Sequence, residues 1–138
     1  MSLSGLILGG YYMQSINEID DLSPEKALKE LAKAPESTFS DSVALENADF
    51  SISLKVADAK FVVDWDIKKK DWDWVGLYAH TKDHEFEYLK WTWAVFHKDT
   101  QWRTNMKVKN GIVARYYRYN TQSKRYDLLA ESEPYNLN

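Results

Sequence analysis

The stretch FSISLKVADAKFVVDWDI, residues 50–67, decides the fold. Phe50, Ile52, Leu54 and Val56 alternate with Ser51, Ser53 and Lys55. Phe61, Val63, Trp65 and Ile67 repeat the pattern, with Asp64 and Asp66 between them. A period of two places successive side chains on opposite faces, so each run predicts a strand with one buried and one wet face. Asp58 and Ala59 fill the short break between the two runs.

Working towards the C-terminus, the same texture continues. Trp74–Tyr78 reads as a third strand with Gly76 at its centre, where a glycine lets a backbone or ring lie close. A fourth strand is predicted from Phe86 to Phe96, with Leu89, Trp91, Trp93 and Val95 on one face. Asn110-Gly111 stands between Met106–Val108 and Ile112–Ala114. That dipeptide suits a type I′ turn, and a hairpin is predicted there. The strand after it, Ile112–Tyr119, carries Tyr116, Tyr117 and Tyr119. A polar turn at Asn120–Lys124 leads to a last strand from Tyr126 to Ala130, and Pro134 confines any continuation to an edge. Seven strands joined by short connections, with no alternating helices, predict an antiparallel immunoglobulin-like β-sandwich over residues 49–138.

Residues 1–48 differ in kind. Ser23-Pro24-Glu25 combines an N-cap, a proline at the first helical position and an acid in the first turn. Ala27, Leu28, Leu31 and Ala32 then recur at helical spacing, and Pro35 ends the pattern. A short amphipathic helix over about 24–34 is expected, behind a leader in which Met13 marks a possible second start.

Composition agrees with a folded domain. The 138 residues are 44% hydrophobic and 14% aromatic with only 5 glycines and 3 prolines, unlike the aromatic-poor chains that stay disordered. The net charge is −3, and the one basic run, Lys68–Lys70, is flanked by Asp64, Asp66, Asp71 and Asp73, so no nucleic-acid partner is expected. The absence of cysteine excludes disulfides and thiolate chemistry. The apolar run Leu3–Leu8 is too short for a membrane span and has no basic residue before it, so a soluble, cytoplasmic protein is expected.

One stretch resembles a known family. Asp73-Trp74-Val75-Gly76-Leu77-Tyr78 is similar to the Asp-Trp-(Ile/Val)-Gly-(Leu/Ile)-(Tyr/Phe) signature of SKICH domains, and to strands of fibronectin-like modules. Tyr88–Ala94, Ala114–Tyr117 and Leu128–Tyr135 resemble the strands that follow in SKICH domains, so the resemblance covers about residues 50–137. It implies an immunoglobulin-type sandwich with an adaptor or targeting role and no catalysis. The N-terminal helix departs from the pattern, as does the lack of the coiled coil or phosphatase that usually adjoins such domains. No partner-binding residue and no membrane-targeting role carries over.

Candidate chemistry is sparse. His80 and His84 lie four apart beside Glu85, but in a loop, where that spacing does not align ligands as a helix would. Asp64, Asp66, Asp71 and Asp73 straddle a turn as calcium ligands can, without the glycine and terminal glutamate of an EF-hand loop. No metal and no cofactor is therefore expected, with those six residues as the weak candidates. No nucleophile elbow, Walker loop or dinucleotide fingerprint occurs, and no acid–base pair stands out.

The 6 Trp and 9 Tyr remain, more than a core of this size is expected to hold. An exposed aromatic sheet face is therefore anticipated, with Trp91, Trp93, Trp102, Arg115, Tyr117 and Tyr119 as binding candidates. On that reading Trp102→Ala and Tyr117→Ala leave the fold intact. Three functions compete: a non-catalytic protein-interaction module using that face or an edge strand, a carbohydrate-binding lectin-like module, and a small hydrophobic ligand binder or enzyme on a β-barrel. The partner is thus a protein or a glycan, and a homodimer through an exposed edge is conceivable.

Overall fold

The computed structural model describes residues 22–33 and 50–137. They hold one helix, α1 (Pro24–Leu31), and seven strands: β1 (Ile52–Ala57), β2 (Lys60–Trp65), β3 (Trp74–Tyr78), β4 (Lys90–Trp93), β5 (Gln101–Lys107), β6 (Val113–Asn120) and β7 (Arg125–Glu131). A single 3₁₀ turn, Ala94–Phe96, follows β4. The fourth strand is therefore much shorter than the predicted Phe86–Phe96, because the residues before Lys90 leave the sheet.

Two sheets form, with strand orders β1-β2-β5 and β4-β3-β6-β7. This is the predicted mainly-β sandwich, and the barrel alternative is overturned, since the strands make two separate sheets. The sequential pairs β1–β2, β3–β4 and β6–β7 each stay within one sheet, while the connections β2–β3, β4–β5 and β5–β6 change sheets. The last of these corrects a prediction. Asn110-Gly111 joins β5 to β6, which lie in different sheets, so it is a crossover and not a hairpin. Gly111 does adopt a positive φ of 88°, but Asn110 does not, so the type I′ turn is absent. The C-terminal segment holds the crossover in place: Gly111 N–H donates to Tyr135 O and Leu137 N–H donates to Asn110 Oδ1, each at 2.8 Å.

The inner faces meet in one apolar core. Phe61, Val63 and Trp65 of β2 and Trp102 of β5 pack against Val75 and Leu77 of β3 and Ala114 and Tyr116 of β6. The alternation read in residues 50–67 places Phe61, Val63 and Trp65 inward as expected. Phe61 also meets Tyr135 edge to face, with ring centroids 5.1 Å apart.

Contacts divide the chain into Asp49–Arg118 with Leu128–Asn138, and Met1–Ala48 with Tyr119–Asp127, the tip of the last hairpin. In the second unit α1 starts as its sequence dictates: Ser23 Oγ accepts from Lys26 N–H, Pro24 opens the first turn, and Glu25 follows. Pro24, Ala27 and Leu31 are buried, and the Tyr126 hydroxyl donates to Pro24 O at 2.8 Å. Leu31 is the last helical residue, and Pro35 lies outside the described residues, as do Met13 and Leu3–Leu8.

Gly76 has the tight approach its position suggested. A Cβ added there would stand 2.9 Å from Cε1 of Tyr78, whose ring lies across the glycine. Tyr78 is fully buried and its hydroxyl donates to Glu85 O, so the ring has nowhere to go. Gly76→Ala is expected to destabilise by about 1–3 kcal/mol, the usual cost of overpacking. A urea-unfolding midpoint unchanged by the substitution would contradict this account.

Candidate functional site

The outer face of the four-stranded sheet carries most of the aromatic residues, and it is not open. Trp74, Gly76 and Tyr78 point outward from β3, with Trp93 and Tyr117 opposite Trp74 on the neighbouring strands. Trp74 stacks on Tyr117 at 4.4 Å and on Phe86 at 6.3 Å, and meets Tyr88 edge to face. Trp72 meets Trp93 edge to face at 5.2 Å, and Trp93 meets Trp91 at 5.3 Å. Phe86 and Tyr88 belong to the β3–β4 loop, residues 79–89, which folds back across the sheet.

Arg115 fastens that loop. Its Nη1 donates to Asp83 O at 2.9 Å, its Nη2 to Thr81 O at 2.7 Å, and its Nε to Glu131 Oε2 at 2.7 Å. The guanidinium also lies 4.2 Å from the centroid of the Tyr78 ring. A planar fork of five donors suits this task, since it reaches two carbonyls and a carboxylate together. The loop ties itself as well, through Asp83 Oδ2 accepting from His80 N–H and Glu87 Oε1 from His84 N–H.

The expected exposed aromatic face is therefore corrected. Trp93, Trp102, Arg115 and Tyr117 are buried, Trp93 completely, and only Trp91 and Tyr119 keep part of their surface. Trp102 lies in the core between the sheets, apart from the outer layer that holds Trp91, Trp93, Arg115 and Tyr117. Tyr119 belongs to the hairpin tip, against Tyr126. Five of the six tryptophans are buried because the sheet is covered on both sides, which a two-layer estimate of core size left out. A lectin-like module would need some of these rings free to stack on sugars. The expectation that Trp102→Ala and Tyr117→Ala spare the fold falls with the same observation.

The acidic candidates separate. Asp64 accepts from Gln101 Nε2 at 2.8 Å and pairs with Lys55 Nζ at 2.7 Å, while Asp66 is exposed. Asp73 is fully buried and accepts from Arg118 Nε and Nη2, the Tyr116 hydroxyl and Lys70 N–H at 2.6–3.0 Å. Arg118 Nη2 also donates to Lys68 O, so the triple-lysine loop is wrapped around this carboxyl. Burial pushes the Asp73 carboxyl up from the ordinary aspartate value, against the pull of Arg118, Tyr116 and Lys70. Burial alone would lower Arg118, but its hydrogen bond to Asp73 and the charge there hold it above its ordinary value. A carboxyl that meets only donors is held as the carboxylate, with Arg118 as its cation. Asp71 is exposed. His80 and His84 are exposed in the loop. Among the described residues no three His, Asp or Glu side chains are grouped to hold a metal ion.

His97 follows the 3₁₀ turn after β4. Its Nε2 is 2.9 Å from Thr92 Oγ1, its ring lies 6.0 Å from Trp65 and 6.3 Å from Trp102, and Lys69 Nζ donates to its carbonyl. Burial, and then the Lys69 charge, hold its imidazole below the ordinary value of 6.5. The folded ring thus takes up its proton at lower pH than the unfolded one. Its contribution to stability is complete above 6.5 and is lost as pH falls through the folded value. Urea midpoints at about pH 7.5 and about pH 5.5 are expected to differ more for the wild type than for His97→Gln.

The family model of the SKICH domain matches residues 43–132. The chain belongs to the SKICH domain family. The match spans all seven strands of the sandwich, β7 to its last residue Glu131. Neither the curated proteins nor the solved structures compared with the chain gave a match. SKICH domains are protein-interaction modules of the adaptor type. In this SKICH domain the signature Asp73–Tyr78 is explained by its contacts: Asp73 holds Arg118, Trp74 and Tyr78 make the outer layer, and Val75 and Leu77 enter the core. Among the described residues no helix is long and apolar enough to cross a membrane.

Proposed function

We propose that this SKICH domain is a non-catalytic recognition module that takes up a protein partner by strand addition along β1. The observation that carries the reading is the state of that edge. β1 pairs with β2 in an unbroken register of six residues, and among the described residues no strand lies on its other side. Asp66 N–H donates to Ser51 O. In an antiparallel ladder the bonded pairs recur every second residue, so the N–H and C=O groups of Ile52, Leu54 and Val56 point away from β2.

The other edges are blunted. β5 meets β2 across a bulge and presents Arg103, Asn105 and Lys107 to solvent. β4 has four residues, and β7 carries Arg125, Asp127 and Glu131 with Pro134 beyond. Charges, bulges, short length and proline are the devices that keep an edge from pairing. β1 has a single charge, Lys55, already matched to Asp64, and Val56 is 44% exposed beside it. The aromatic face supplies no rival surface while its loop is fastened by Arg115.

Val56→Pro removes one outward N–H, and proline is tolerated at such a position on an edge. A protein captured from the native host by the wild type and by Val56→Ala is expected to be lost from Val56→Pro. Retention by Val56→Pro would move the interface away from β1.

A further inference from the structure

Asn110-Gly111 is the only Asn-Gly pair in the chain, and it sits in the exposed crossover from β5 to β6. We propose that Asn110 is a site of slow self-modification to aspartate and isoaspartate, and that the C-terminal segment Tyr135–Leu137 sets its rate.

The reaction needs no other catalyst than water and hydroxide. The Gly111 N–H gives up its proton to solvent base, and the nitrogen attacks Cγ of the Asn110 side chain. The side-chain nitrogen leaves as ammonia, closing a five-membered imide. Water then opens the ring at either carbonyl, leaving aspartate or its β-linked isomer; overall an amide and water become a carboxylate and ammonium. Glycine at the attacking position matters because no Cβ obstructs the approach. Asparagine is among the thermally labile residues for this kind of reason.

Both reacting groups are occupied in this structure. The attacking nitrogen donates to Tyr135 O and the attacked amide accepts from Leu137 N–H, each at 2.8 Å. Ring closure has to break the first bond and swing the side chain out of the second. Tyr135 is itself anchored on Phe61 and its N–H donates to Ile112 O at 2.9 Å, so the clasp is fixed to the core. Leu137, by contrast, is 56% exposed and offers little but its N–H. The turn borders an open groove with His80, Lys82 and Asp83. Conversion would add a negative charge there, and the β-linked product, with its lengthened backbone, would unfasten Gly111 from Tyr135.

The test uses the full chain. Wild type, Leu137→Ala and Leu137→Pro are incubated at mildly alkaline pH, and conversion of Asn110 is followed by peptide mass and by methyl transfer to isoaspartate. Leu137→Pro, which lacks the donor, is expected to convert several-fold faster than the other two, and the rate is expected to rise with pH. Equal rates for Leu137→Pro and Leu137→Ala would overturn the role of the clasp. If Leu137→Pro does not fold, the wild type is compared folded and in urea. Equal conversion in the two overturns the proposal, and slower conversion when folded supports it. No conversion of Asn110 in any sample overturns the site itself.

Discussion

Trp74→Ala is expected to cost about 3–5 kcal/mol of folding stability, the range for deleting a fully buried large aromatic side chain. Trp74 has no solvent exposure and is held between Tyr117 and Phe86, with Tyr88 against its edge. Its ring joins the sheet to the loop that covers it, so the cavity would open where two elements meet and neither could close it alone. Urea unfolding checks the size of the loss. Hydrogen exchange checks its place: amides of residues 79–89 should lose protection before those of β2. An unchanged melting temperature would refute the assignment.

Asp73→Ala is expected to be as damaging, by about 3–5 kcal/mol, because it leaves a buried cation without its partner. The Arg118 side chain is 13% exposed, and the same carboxylate also accepts from Tyr116 and from Lys70 N–H. Removing it orphans several donors at once, which costs more than the pair itself contributes. The double variant Asp73→Asn/Arg118→Met removes the uncompensated charge and should recover part of the loss. If the double variant is less stable than Asp73→Ala, the buried charge is not the cause.

Much of this fold was legible because its signals are local. The period of two in residues 50–67 and the Ser23-Pro24-Glu25 start of α1 depend on neighbours in the chain, and the elements formed where they were read, although Val56, read as inward, is exposed. The Asn-Gly signal misled for a related reason. It reports the backbone freedom of Gly111, which is real, and says nothing of which sheet the flanking strands join.

The aromatic face was harder. Alternation assigns Trp91, Trp93 and Tyr117 to one side of the sheet, but whether that side meets water depends on a loop distant in sequence. One signal was present: Arg115 stands alone among Ala114, Tyr116 and Tyr117, and a lone cation amid apolar neighbours on a strand needs acceptors brought to it. Asp64, Asp66, Asp71 and Asp73 looked alike in sequence, and burial alone separates Asp73 from the rest.

The covered outer layer also decides what light absorbed by this protein reports. Indoles packed away from water emit towards the blue, so the fluorescence of Trp65, Trp72, Trp74, Trp93 and Trp102 follows the integrity of the fold and not events at its surface. The perpendicular contacts of Trp72, Trp93 and Trp91, at 5.2 and 5.3 Å, bring three transition dipoles close enough to couple. Circular dichroism in the near ultraviolet therefore reads the packing of this row. Trp91, at the half-open end of that row, is the one indole in a position to sense a visitor.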